Sequence, residues 1–385
     1  MTGLSVARIE TWPIEVPILE DMIISSAAGT HSHSPFCMVR ITDEDGIEGW
    51  GEASCTPLWS GEWGVTAAQM IRHQIAPTLI GSEISGPLAV PELLNKVLAG
   101  NNFTKAAVEM AIWDIWGKRH SSPVHEMLGD PTKKTVRTKF SLNGASTKAA
   151  VAMARHAVSL GFTAMKVKVA VGSLDQDLER LGSVLDVVGS DVSVGVDANT
   201  GWSRSEAHTA AKVLVDAGAA FLEQPLAADD LEGLASIRRS LGVPLVADES
   251  VGTPRDAERV IAADAADVLS IYVGMAGGIG PALCIAQAAN AAGVGWTIGS
   301  NLELGVASMA HLQLAFGVAG LVDDLVPCDI ISPFYYENML VPNLPIKAGY
   351  AGRTVSHGLG GELDLAALEH LGVAVEPVNQ IRSAW

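Results

Sequence analysis

The sequence predicts an α/β protein: a closed barrel of alternating strands and helices, preceded by a smaller α+β module. Between about residues 135 and 335, short apolar runs alternate with helical stretches. Alternation at that interval implies parallel strands joined by right-handed crossovers. Eight such units in about 200 residues suit a (β/α) barrel, with a doubly wound open sheet as the structural alternative. A chain of 385 residues, 48% hydrophobic, has length enough for one large domain and a smaller one.

The elements follow in order. SVARIETWPIEV and FCMVRITDEDGIEGWGEA alternate apolar and polar residues, as half-buried antiparallel strands do, and precede two helical stretches, PELLNKVLAG and FTKAAVEMAIWDIWGKRHS. This first module is assigned to residues 1–130. The barrel, 131–340, is built on VRTKFSLNG, TAMKVKV, VSVGVDA, AFLEQP, VPLVADES, DVLSIYV, VGWTIGS and LVPCDII. A tail, 341–385, begins Gly-rich and contains ELDLAALEHL as a short helix.

Several function classes are disfavoured. Residues 268–298 carry no charged side chain, but Gly, Ala, Ser and Asn fill them and Pro281 divides them, so a buried strand and an Ala-rich helix are expected, not a membrane span. The net charge of −18 argues against nucleic acid and anionic membranes as partners, because phosphate binding needs a basic face. Cys37, Cys55, Cys284 and Cys328 have no CxxC spacing, and the N-terminal residues have no basic start followed by an apolar run. A reducing, cytoplasmic setting is expected.

TAMKVKVAVG raises the chemical question. Lys166 and Lys168 lie two apart on an apolar strand, so both ammonium groups leave the same face. Downstream, three strand ends finish in acids, Asp197, Glu223 and Glu249, spaced 26 residues apart. One strand–helix unit has about that length, so neighbouring strands deliver one carboxylate each to the same rim. Three carboxylates repel unless a cation joins them, and hard oxygen ligands without His or Cys point to Mg²⁺. Polar strand ends are also ordinary in barrels. The lysines face the same cavity, where a second cation and desolvation lower an ammonium pKa toward that of a general base, although the pair also suits plain counter-ions. A metal with a lysine base suggests proton removal next to a carboxylate.

These motifs resemble the enolase superfamily, in the mandelate racemase and muconate lactonizing enzyme branch. AAVEMAIWDIWGKRHSSPVHEMLG is similar to the family's segment joining cap to barrel, KVK to its lysine motif, and Asp197, Glu223 and Glu249 to its metal ligands. The resemblance implies a modified (β/α)₇β barrel with an α+β cap completed by the C-terminal tail. It further implies Mg²⁺, Lys168 as base with Lys166 holding the substrate carboxylate, a small carboxylate substrate, and a homo-oligomer. By the same resemblance Glu303 faces the substrate, Asp329 lies where epimerases of amino-acid type grip an ammonium group, and His31, His33 and Trp59 belong to lid loops.

The chain departs from its family at two positions. Where the muconate lactonizing and dipeptide epimerase type has a second lysine on strand six, and the mandelate racemase type an Asp, this chain has Tyr272; where the latter has a strand-seven His, it has Gly299. Tyrosine is a poor base near neutral pH but a plausible acid; it also serves as plain barrel filling. The reading is therefore a Mg²⁺-dependent dehydratase in which Lys168, Lys166 and Tyr272 are catalytic, with cis-3-hydroxy-L-proline as the specific substrate. A cycloisomerase, an amino-acid racemase or epimerase, and a sugar-acid dehydratase are the alternatives, and a silent carboxylate-binding relative belongs to another class.

Overall fold

The structure, a computed structural model, describes residues 3–129, 133–337, 339–372 and 375–378. The expected cap–barrel boundary at 130/131 and the end of the tail lie outside them. Three long strands, Leu4–Pro17, His33–Asp43 and Glu48–Ser54, form the expected antiparallel meander, with Ile9 opposite Ile41 and Val39 opposite Gly51. The late strand Val375–Val378 pairs antiparallel with the first of them.

The helix Asn102–Arg119 packs on this sheet almost backbone to backbone. Gly49 and Gly51, on one face of their strand, make that approach possible: a β-carbon at Gly51 would lie 1.7 Å from the Ala107 carbonyl oxygen, and one at Gly49 2.1 Å from that of Ala111. Alanine at either position would push the helix off the sheet. A short hairpin between the first two long strands (Ile24–Ser26 and Gly29–His31) and the turn Pro57–Ser60 after the third project toward the barrel.

The barrel is curled from seven parallel strands: Phe140–Leu142, Ala164–Lys168, Ser193–Asp197, Leu222–Glu223, Leu245–Ala247, Val268–Ile271 and Gly295–Ile298. The eighth run closes the ring without forming a regular strand. Cys328 N–H donates to the Arg137 carbonyl and Asp329 N–H to that of Ile298, both at 2.9 Å. A closed parallel ring leaves no edge to satisfy, which excludes the open-sheet alternative.

Five of the crossover helices start on a polar cap that marks the end of the preceding loop. Ser146, Ser173, Ser203, Asp230 and Thr253 accept bonds from backbone N–H groups in the first turn, and Ser173 and Ser203 complete capping boxes with Gln176 and Glu206. Inside the ring Phe221, Val246, Val268 and Val326 make one cluster. Gly195 leaves room for Phe221, since a β-carbon there would lie 2.2 Å from the ring. This plug, whose side chains each contribute roughly 1.5–3 kcal/mol by burial, fills the barrel below the site and fixes which residues of each strand point inward.

Residues 268–298 form a strand, the helix Ile279–Ala292 and another strand, and no helix among the described residues is long and apolar enough to cross a membrane.

Candidate active site

The inward set follows from the plug. Gly195 and Asp197 share one parity, as do Phe221 and Glu223, and parallel pairing puts Asp197 level with both Lys168 and Glu223. Val246 pairs with Glu223 and sits in the plug, so Asp248, two residues on, continues inward, while Glu249 falls on the alternate phase. The equal spacing of 26 residues that selected Glu249 concealed this parity.

The mouth is dominated by ion pairs. Lys166 Nζ donates to Glu223 Oε1 at 2.5 Å and Asp329 Oδ2 at 2.9 Å, and lies 3.3 Å from Asp197 Oδ2. Lys168 Nζ donates to the same Asp197 oxygen at 2.6 Å and to Asn199 Oδ1 at 2.8 Å. Burial works against the charge of Lys166, but Asp329, Glu223 and Asp197 outweigh it and hold this ammonium well above its usual range. The expectation of a lowered pKa is corrected at this residue: the surrounding carboxylates exceed the effect of desolvation. Lys166 is a fixed cation, suited to gripping an anion.

Asp197 is buried, but the two lysines pull its pKa down. Burial drives Glu223, Asp248 and Glu249 up instead, with acidic neighbours adding to the effect. Glu223 Oε2, Asp248 Oδ1 and Glu249 Oε2 are buried without any hydrogen-bond partner. Buried acceptors without donors are costly, and a cation would satisfy them. Among the described residues no three acids already converge as a ligand cage, and lysine ammoniums occupy oxygens of Asp197 and Glu223. The donor chemistry nevertheless fits a hard divalent ion such as Mg²⁺.

On the far wall, Tyr272 follows the sixth strand, four strands round from the lysines. Its Oη donates to Asp248 Oδ2 at 2.8 Å, and burial, then Asp248, raise the phenol well above its ordinary pKa. Its ring packs on Trp59 with centroids 5.4 Å apart. A β-carbon at Gly299 would lie 2.1 Å from the phenol ring, so the glycine clears the space Tyr272 occupies. Backbone strain gathers at the same rim: Ala170, Asn199, Thr200, Gln224 and Leu302 all have positive φ.

A cavity of about 450 Å³ opens here, with Lys166, Lys168, Asp248, Tyr272, Asn199 and Trp59 in its lining. His31 and His33 also line it, as the lid assignment expected. Glu303 and Asp329 do not. Glu303 turns back to accept from Ser300 Oγ at 2.5 Å and Asn301 N–H at 3.1 Å. Asp329 is the counter-ion of Lys166 and of the fully buried Lys139, 2.8 Å away, so its carboxylate is engaged below the mouth and is not open to a substrate nitrogen. Sequence reasoning missed Asp248, which strand parity reveals, and Asn199, which joins Lys168 to Glu249 by donating to Glu249 Oε1 at 3.0 Å. A second cavity of similar volume, lined by Lys105, Asn102 and Cys284 between cap and barrel helices, holds none of these groups.

Lysines, acids and a capping lid at the C-terminal mouth of a parallel barrel define a barrel enzyme class. Residues 149–367 match the family model described as enolase C-terminal domain-like, and residues 9–129 match the mandelate racemase / muconate lactonizing enzyme N-terminal domain. The chain belongs to the enolase superfamily, in its mandelate racemase / muconate lactonizing enzyme branch. It is 36% identical over 312 residues to the L-Ala-D/L-Glu epimerase of Bacillus subtilis, covering 80% of this chain and 84% of the relative. It is 29% identical over 371 residues to the N-succinyl-L-Arg/Lys racemase of Bacillus cereus, covering 96% and 98%. The crystal structure of the Bacillus cereus racemase superposes with a TM-score of 0.90 at 27% identity, over 97% of this chain and 100% of that one. The muconate lactonizing enzyme of Pseudomonas putida gives 0.88 at 26% identity, over 96% and 100%. Members of the superfamily bind Mg²⁺.

Proposed function

We propose that the protein removes the proton α to the carboxylate of a small acid, with Lys168 as base and Lys166 gripping the carboxylate. The observation that carries this reading is the placement of two lysines on one wall of the barrel mouth with a phenol donor, Tyr272, on the opposite wall. Asp197, Glu223 and Asp248 would hold Mg²⁺, with Glu249 beside them; orphaned oxygens on Glu223 and Asp248 support this set, and strand parity supports Asp248 over Glu249 as the third ligand. When bound, the ion supplies positive charge against the negative charge that builds on the substrate carboxylate. Lys168 takes the proton on its amine, and the buried Lys166 keeps the carboxylate oriented.

The names of the relatives, epimerase, racemase and cycloisomerase, support isomerisation as the outcome more than loss of water. In that reading the enediolate is reprotonated on carbon and nothing leaves the molecule. The cavity lining favours a monocarboxylate, because among the described residues Lys166 and Lys168 are its only Lys or Arg residues and no third one awaits a second acid group.

A second reading, elimination of a β-hydroxyl, is favoured by Tyr272. A phenol held above its usual pKa stays protonated near neutral pH, so it can hydrogen-bond to and protonate a leaving hydroxyl but offers no phenolate to remove a proton in the reverse direction of a racemase. The specific substrate of that reading is cis-3-hydroxy-L-proline, whose α-hydrogen and hydroxyl lie on opposite faces of the ring, as Lys168 and Tyr272 do across the mouth.

The experiment incubates the enzyme with Mg²⁺ in D₂O and follows N-succinyl amino acids, dipeptides, muconate, 3-hydroxyproline isomers and sugar acids by proton NMR. Deuterium at the α-carbon with inversion or lactone formation supports isomerisation, and loss of water supports the second reading. Absence of α-exchange with every acid would overturn both.

A further inference from the structure

His31 sits on the lid hairpin, and its surroundings fix a property that its sequence position does not. Its Nε2 lies 2.7 Å from Ser34 Oγ, Ser34 Oγ lies 2.6 Å from Tyr336 Oη, and Tyr336 Oη donates to the Leu302 carbonyl at 2.7 Å. A carbonyl only accepts, and each hydroxyl has one proton. Tyr336 therefore spends its proton on Leu302 and must accept from Ser34. Ser34 in turn must accept from His31. The chain of bonds runs one way, so the proton on the imidazole is on Nε2.

The ring is also neutral. Burial, reinforced by the charge of Lys168, lowers its pKa to about 4. A neutral Nε2–H imidazole carries a free lone pair on Nδ1. That nitrogen is not buried and meets no partner among the described residues, while His31 lines the cavity that holds Lys166, Lys168 and Tyr272. Trp59, Leu58, Ile24 and Trp63 in the same lining offer no acceptor in their side chains. Glu15, Thr30 and His33 of the cap line the cavity too, and His31 differs in that its hydrogen bonds fix which of its nitrogens accepts.

We propose that His31 is a specificity-determining residue whose Nδ1 accepts a hydrogen bond from a donor on the substrate, an amine N–H or a hydroxyl, so that the site selects amino, imino or hydroxy acids over plain carboxylic acids. This rests on the reading that a small carboxylate binds at Lys166. It adds the chemistry of the rest of the molecule. An acid without a donor would leave the lone pair facing the ligand unpaired, which is where discrimination arises.

The test uses the full-length, Mg²⁺-loaded enzyme labelled with ¹⁵N-histidine, with the His31→Gln variant assigning the signal. Gln keeps an N–H for Ser34 and removes the acceptor at Nδ1, so the lid contact survives. At pH 7 the His31 resonances are expected to report protonated Nε2 and bare Nδ1. Calorimetric titration with L-proline and with cyclopentanecarboxylate, which lacks the donor, is expected to show a preference for proline of roughly tenfold in the wild type, lost in the variant. A proton on Nδ1, or an undiminished preference in His31→Gln, overturns the assignment and leaves the carboxylate reading intact. Failure of both acids to bind wild type, joined to absence of α-exchange with any acid, overturns the carboxylate reading itself and this assignment with it.

Discussion

A β-carbon on Gly299 would fall 2.1 Å from Cε2 of Tyr272, so the bare seventh strand and the phenol of the sixth are one adaptation. The two departures noticed separately in the sequence are a single exchange of space. The phenol then meets Asp248 at 2.8 Å and Trp59 across the mouth.

Gly299→Ala is expected to overpack this contact, with a destabilisation of about 1–3 kcal/mol seen as a lowered thermal midpoint. Tyr272→Ala in the same chain should relieve part of it, so the double variant is less destabilised than the sum of the two. Strict additivity would mean that the residues do not compete for space.

Tyr272→Phe keeps the ring and removes only the proton. Turnover is expected to fall by about 10²–10⁴-fold, while α-proton exchange driven by Lys168 continues within an order of magnitude. Equal losses in both, read by NMR in D₂O, would place the phenol in the proton-abstraction step.

Lys168→Ala is expected to lose α-exchange by about 10²–10⁴-fold with substrate binding largely kept. Lys166→Ala should weaken binding, since it removes the buried cation, and should also lower stability because Glu223 loses its ion-pair partner and Asp329 one of its two. Stopped-flow binding and exchange rates separate the two roles; a Lys168→Ala enzyme that still exchanges would mean another base.

Removal of divalent metal with EDTA is expected to abolish exchange, and Mg²⁺ to restore it. Among the acids, Asp248→Asn should weaken Mg²⁺ binding by more than the roughly 10–100-fold typical of a group that only supports a ligand, and Glu249→Gln should stay within that range. The opposite order in calorimetry would return Glu249 to the ligand set.

His311 is fully buried, and burial lowers its pKa to about 3. Its Nε2 accepts from Val273 N–H at 3.1 Å, a bond that requires the neutral ring. The native pKa lies below the unfolded value of about 6.5, so this residue contributes stability above that pH which is lost as pH falls toward the native pKa. Wild type should therefore lose about 2 kcal/mol relative to His311→Gln between pH 7 and pH 5, measured by denaturant unfolding; parallel curves would refute the buried neutral histidine.

Much of this molecule is written locally. Alternating segments, Ser and Thr caps, and the phase of Lys166 and Lys168 are short-range facts of the chain, because one strand or one helical turn decides them. Asp197 and Glu223 were legible for the same reason: both lie within regular strands that carry their parity intact. What the sequence alone could not decide begins where strands end. The fifth strand stops at Ala247, and only packing of Val246 in the barrel plug tells that Asp248 continues inward while Glu249 turns aside. Glu303 and Asp329 look like cavity acids on paper, but Ser300, Asn301 and the buried Lys139, all brought by other segments, claim their oxygens first. The proton position on His31 depends on Leu302, far along the chain, through two hydroxyls. Local periodicity is set by covalent geometry and is readable in sequence; the allocation of a limited number of donors, acceptors and charges among distant segments is settled only when the barrel closes and the cap comes down on it.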